Sequence, residues 1–206
     1  ASIGVIDQKG IIKDNYMRNY TAKLDASQTM FNDKVKIEFG MFGSKVDKRY
    51  LNDYQKTFYS AAAFNPTFPD FANEDGSWPE DPNANETQNP LGRLTIKDIE
   101  SNSYINTNAR ITWTVIDGLK LSAFGSYTYN VKENSKYTPN NIKAGQGQSG
   151  IAEKSDNKSG VLLGNFTANY KKAFGKHYID ILGLAELQDY KYTGFGAKSK
   201  QFGTNF

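Results

Sequence analysis

The sequence has no cysteine and a single histidine, and none of its apolar runs approaches the ~18 residues that a membrane-spanning helix requires. The first absence excludes a disulfide framework and a thiolate metal site. His177 has no second imidazole or thiol to join it, so it reads as structural, and no metal centre or nucleophile-base pair can be assembled. The formal charge of +3 arises from 25 basic and 22 acidic residues scattered along the chain, which gives no basic patch for nucleic acid. Residues 1–10 carry neither a charged n-region nor a continuous apolar h-region, as expected of a mature chain or a fragment.

What is abundant is aromatic character, with 13 Tyr and 13 Phe, and an alternation of apolar and polar residues that favours strands. It is clearest over residues 104–129. Ile105, Thr107, Ala109, Ile111, Trp113 and Val115 share one face, while Asn106, Asn108, Arg110, Thr112 and Thr114 share the other. After Asp117-Gly118, a hairpin-turn dipeptide, Leu119, Leu121, Ala123, Gly125, Tyr127 and Tyr129 alternate with Lys120, Ser122, Phe124, Ser126 and Thr128. Each arm exceeds the ~9 to 11 residues with which a tilted strand crosses a bilayer.

The same period predicts strands over residues 2–7, 16–30, 35–42, 161–171 and 177–190, the last with apolar residues on both faces. Two long stretches interrupt it. Residues 47–100 carry a helical spacing at Leu51, Tyr54, Phe58 and Ala62 and then turn dipeptides, which predicts a long ordered loop with a short helix. Residues 131–158, rich in Asn, Lys, Ser and Gly, predict a second loop, and the Gly-rich residues 192–206 a third.

After the first strand pair the connections run four residues, about fifty, three, about twenty-seven and five. That rhythm of tight turns and long loops belongs to outer-membrane barrels, in which the long loops lie outside the cell. The expected fold is an all-β antiparallel up-and-down meander of about seven long strands. Seven is odd, bacterial single-chain barrels have an even number, and an open sheet would leave unpaired edges in lipid, so a larger transmembrane β-barrel is implied. The alternative is a soluble adhesin-like β-sandwich whose long loops bind carbohydrate.

Short motifs add a family likeness. Ala1-Ser2-Ile3-Gly4, Asp7-Gln8-Lys9-Gly10-Ile11-Ile12, Tyr16-Met17-Arg18, Asn65-Pro66-Thr67, Asn73-Glu74-Asp75-Gly76-Ser77, Asn89-Pro90-Leu91, Ile116-Asp117-Gly118-Leu119, Tyr137-Thr138-Pro139 and Gly175-Lys176-His177 occur in this order. Together they resemble the SusC/RagA-type TonB-dependent transporters of the Bacteroidota outer membrane. The resemblance implies that residues 1–206 are part of a plugged barrel of about 22 strands, with 47–100 and 131–158 as extracellular loops. It further implies import of an oligosaccharide or peptide with a SusD-like surface lipoprotein, and energy from TonB through a plug region that these residues lack. No enzyme activity and no cofactor are implied.

Within the first loop, Tyr54, Tyr59, Phe68, Phe71 and Trp78, with Asp70 and Asp75 among them, are the ligand-contact candidates. Aromatic faces offer broad contact, and carboxylates accept hydrogen bonds from hydroxyls. The same residues would equally suit packing of the loop on itself or on a lid protein. In the strands, Trp113, Tyr127 and Tyr129 are candidates for the aromatic girdle at the outer-membrane lipid interface, with core packing as the alternative. Two motif-like strings fail on context: 145–150 matches G-x-G-x-x-G without a strand before it or a helix after it, and 73–76 lacks the ligand spacing of a calcium loop.

Overall fold

A computed structural model describes residues 1–51, 53–83 and 86–202. Its strands are β1 (Ser2–Lys9), β2 (Tyr16–Met30), β3 (Val35–Arg49), β4 (Lys97–Ile116), β5 (Leu119–Thr138), β6 (Ile151–Phe174) and β7 (His177–Lys200). Helices α1 (Tyr54–Ala63), α2 (Pro90–Leu94) and α3 (Lys143–Gln146) lie in the long connections. All seven strands form one sheet in chain order, each antiparallel to the next. The described residues hold no second sheet, so a sandwich interior has nothing to pack against.

Directly paired residues share a face of an antiparallel sheet, so the register sorts the side chains. One row runs Val35, Trp113, Leu121, Ala168, Gly183, the next Ile37, Ile111, Ala123, Phe166, Ala185, and a third Phe39, Ala109, Gly125, Gly164, Leu187. These are apolar. The intervening rows, such as Glu38, Arg110, Phe124, Asn165, Glu186 and Asp25, Gly40, Asn108, Ser126, are mostly polar. The register also settles β7, whose Ile181, Ala185 and Leu187 join the apolar face while Leu182 and Leu184 join the polar one.

On β3 the apolar band extends from Val35 to Gly43, about 27 Å along the strand, comparable with the ~25 Å lipid-facing band of outer-membrane barrels. Large apolar residues across it stay exposed, among them Phe39, Ile105, Ile111, Leu162 and Leu187. Among the described residues the buried large apolar side chains are Ile96 and Ile142, both in the long connections. The sheet therefore buries no core of its own; its apolar surface needs an apolar surrounding.

Beyond the band the strands outrun the alternation. The second loop, expected at 131–158, shrinks to 139–150 because β5 continues to Thr138 and β6 starts at Ile151. The first, expected at 47–100, shrinks to 50–96. Likewise β7 continues to Lys200 where a loop was expected from 192; residues 203–206 lie outside the described residues. In the first two, both faces past the band are mostly polar, so hydropathy loses its period of two while backbone pairing continues; in β7 it is Gly194 and Gly196 that read as loop although they stay paired.

Tight turns close the opposite end. Gly118 adopts φ 85 between β4 and β5, and a Cβ there would meet the Lys171 carbonyl oxygen at 2.3 Å. A bulge between Thr114 and Ile116 removes Val115 from the ladder, so the strict alternation expected of it stops one residue early. The last turn is Gly175-Lys176 alone, because pairing persists to Phe174 and His177 and shortens the five-residue turn expected at 172–176.

Candidate functional site

The connections 50–96 and 139–150 leave the sheet at the end away from the tight turns and bind each other there. Trp78 N donates to Asn141 O at 3.1 Å, Asn141 Nδ2 to Gly76 O at 2.7 Å, and Lys143 Nζ to Thr87 O at 3.5 Å. The longer connection is anchored by Arg93. This side chain is 5% exposed and donates from Nε to Thr57 Oγ1 at 3.0 Å and from NH1 to Gln88 Oε1 at 2.8 Å. Burial lowers the affinity of its guanidinium for the proton, while Asp53 and Glu80 oppose that effect.

Asn89, 2% exposed, shows why Asn-Pro-Leu suits this point. Its Oδ1 accepts from Leu91 N at 2.9 Å and Gly92 N at 3.2 Å, capping α2, and Pro90 occupies the first helical turn, where a missing N–H costs nothing. Its own N–H donates to Glu80 Oε2 at 2.9 Å, and Nδ2 donates to Pro79 O at 2.9 Å. Burial raises the pKa of Glu80, against the bond from Asn89 and the nearby Lys143 and Arg93.

α1 is capped by Asp53, whose side chain accepts from Lys56 N at 3.2 Å. It buries Thr57 and Ser60 and leaves Tyr54, Phe58 and Tyr59 exposed at 60%, 51% and 58%. An amphipathic helix on a globular core does the reverse. Thr57 faces inward because Arg93 requires an acceptor.

The predicted contact residues therefore separate. Tyr54, Tyr59, Asp70 and Phe71 are exposed. Phe68 is half-buried against Phe64, with ring centroids 5.5 Å apart. Trp78 lies against α2, where a Cβ on Gly92 would come within 3.0 Å of its Cγ. Asp75 accepts from Ser77 N at 2.9 Å and Ser77 Oγ at 2.6 Å, and these two bonds hold its carboxyl below the usual range. With Gly76 at φ 79, residues 73–77 form a turn. Phe58, read at helical spacing from Tyr54 but not counted among the contact candidates, is exposed on the same helix.

At the loop end of the polar face, Glu100 is almost fully buried between Lys48 Nζ at 2.9 Å and Lys132 Nζ at 3.0 Å. Lys48 Nζ also lies 4.7 Å from the Tyr50 ring centroid. On the apolar face, Trp113 lies toward the tight turns, while Tyr127 and Tyr129 stack at 6.3 Å toward the loops. His177 is exposed at the start of β7, and the described residues hold no group of three or more His, Cys, Asp or Glu placed to bind a metal.

The same sheet recurs in solved structures. The RagAB peptide importer matches in its closed-closed state with a TM-score of 0.70 at 19% identity, covering 98% of this chain and 24% of that one. Its open-open state matches with a TM-score of 0.72 at 20% identity, covering 96% and 23%. No protein-family model matches. Sequence relatives agree: the TonB-dependent receptor SusC of Bacteroides thetaiotaomicron is 26% identical over 222 residues, spanning 94% of this chain. The chain resembles the SusC/RagA-type TonB-dependent receptors. A second relative, TonB-dependent receptor P3 of Formosa agariphila, is 23% identical over 209 residues and spans 96% of the chain. The chain covers about a fifth of the length of these two relatives, 21% and 20%. Their names describe receptors and an importer, not enzymes.

Proposed function

We propose that this chain is a wall segment of an outer-membrane, TonB-dependent nutrient importer. The observation that carries the reading is the single sheet with one exposed apolar band, a polar opposite face and two open edges. Lipid covers the band, further strands continue the edges, and the polar face lines the lumen. The long connections then lie outside the cell, with Trp113 at the periplasmic interface and Tyr127 and Tyr129 at the outer one.

A SusD-like lipoprotein is the partner proposed for the loops, because the chain shares its sheet with the RagAB peptide importer and is similar to the receptor SusC over 94% of its length. TonB engages a plug region elsewhere in the protein. The ligand is an oligosaccharide or peptide met by the exposed Tyr54, Tyr59, Phe71 and Asp70, with Phe58 beside them. Phe68, Trp78 and Asp75 shape the loop that presents these groups.

Single cysteines at Ile111 and Arg110 in the whole transporter test the orientation. In outer-membrane vesicles a hydrophilic thiol reagent is expected to label the Arg110→Cys variant and to leave the Ile111→Cys variant unmodified. Free labelling at Ile111 with protection at Arg110 would overturn the reading.

A further inference from the structure

Beneath α1, on the polar face, the loop ends of β5, β6 and β7 and the two long connections line a half-open cleft of about 380 Å³. That volume lies in the range of small-molecule sites. Its charged lining comprises Lys56, Arg93, Lys136 and Lys198 against Asp53 and Glu153. Four cations face two carboxylates, and the carboxylates are committed. Glu153 pairs with Lys198, its direct neighbour across β6 and β7, and Lys136 flanks it across β5 and β6. Asp53 caps α1 and stands 3.9 Å from Arg93.

The cations divide in the same way. Arg93 is spent on Thr57, Gln88 and Asp53, and Lys198 on Glu153. Among the described residues, no carboxylate lies within ion-pair distance of Lys56 or Lys136. Asp98, next to Lys136 in the register, accepts from Asn134 Nδ2 at 3.1 Å. Two ammonium groups thus remain without a salt bridge, Lys136 acting on Glu153 only from beyond ion-pair distance, in a concave site whose walls focus their field. Lysine is a point charge with three donors, suited to an anion without demanding a planar, two-pronged fit.

We propose that this cavity binds a carboxylate carried by the transported ligand, with Lys56 and Lys136 as its donors. The proposal rests on the polar face being the lumen. An acidic peptide and a uronic-acid glycan both supply the group.

The test uses the full-length transporter with its lipoprotein and calorimetric titration of three probes: trigalacturonate, triglutamate and neutral maltotriose. At least one acidic probe is expected to bind more tightly than maltotriose and to weaken as salt rises. The Lys56→Gln/Lys136→Gln variant is expected to lose about tenfold in that affinity, the scale of one charge-assisted contact. Lys154→Gln, on the opposite face, is expected to lose none. Preference for trigalacturonate would identify a glycan source and preference for triglutamate a peptide source. Equal binding of acidic and neutral probes, or an unaffected double variant, would overturn the proposal. Heat-modifiable mobility of the same samples separates the two failures, since a protein that forms no barrel contradicts the importer reading itself.

Discussion

Glu80 shows how a single side chain ties the loops to pH. Burial raises its pKa in the folded loop, so the folded loop holds the proton more firmly than the open chain does. Its contribution to stability is therefore fully present below the unfolded carboxylate value and falls as pH rises through the folded one. The Asn89 amide, which donates to Glu80 Oε2, and the Leu91 and Gly92 amides, which donate to Asn89 Oδ1, report it. Their hydrogen-exchange protection, corrected for intrinsic rates, is expected to be higher near pH 4 than near pH 7, and Glu80→Gln should flatten the difference. A profile that survives the substitution would assign it to another group. None of this was legible in the sequence, because the burial of Glu80 depends on contacts that bring residues 79, 89 and 143 together.

Among the elements, the hairpin of β4 and β5 was the most legible and β7 the least. Asp117-Gly118 is read correctly because the turn demands it: positive φ and a carbonyl 2.3 Å from any Cβ leave room for glycine alone. Gly118→Val is expected to cut the yield of heat-modifiable barrel sharply, since left-handed backbone alone costs about 1–2 kcal/mol before the clash. Gly175→Asn, at φ 60 with nothing within 4 Å, should be tolerated. Equal yields from both variants would remove the turn as a constraint. β7 was ambiguous because Leu182 and Leu184 are apolar on the face that its partners make polar. α1 misleads for the opposite reason: a buried guanidinium reverses which side of the helix faces inward.

At the scale of the whole sheet, the rhythm of loops and turns revealed the meander, but the strand ends were invisible in it. Residues 97–104, 130–138 and 151–158 pair fully while carrying polar side chains on both faces. Hydropathy reports where the apolar band lies, not where the strands stop. An exposed apolar band and the unpaired outer edge of the 24-residue β7 also bear on the isolated segment. These 206 residues, produced in detergent-free buffer, are expected to elute from gel filtration as aggregate. A monodisperse monomer with a cooperative melt would contradict the barrel-segment reading.

From Tyr129, at the edge of the band, β5 continues nine residues to Thr138, about 30 Å of hydrogen-bonded strand. On the proposed importer reading, the loops are thus carried on a stiff collar that stands clear of the headgroups. A thicker or thinner bilayer shifts the water line along that collar while the spacing between the loops stays fixed. In that setting the depth of the membrane and the geometry of the loops are uncoupled, and the same wall would serve in membranes of different depth.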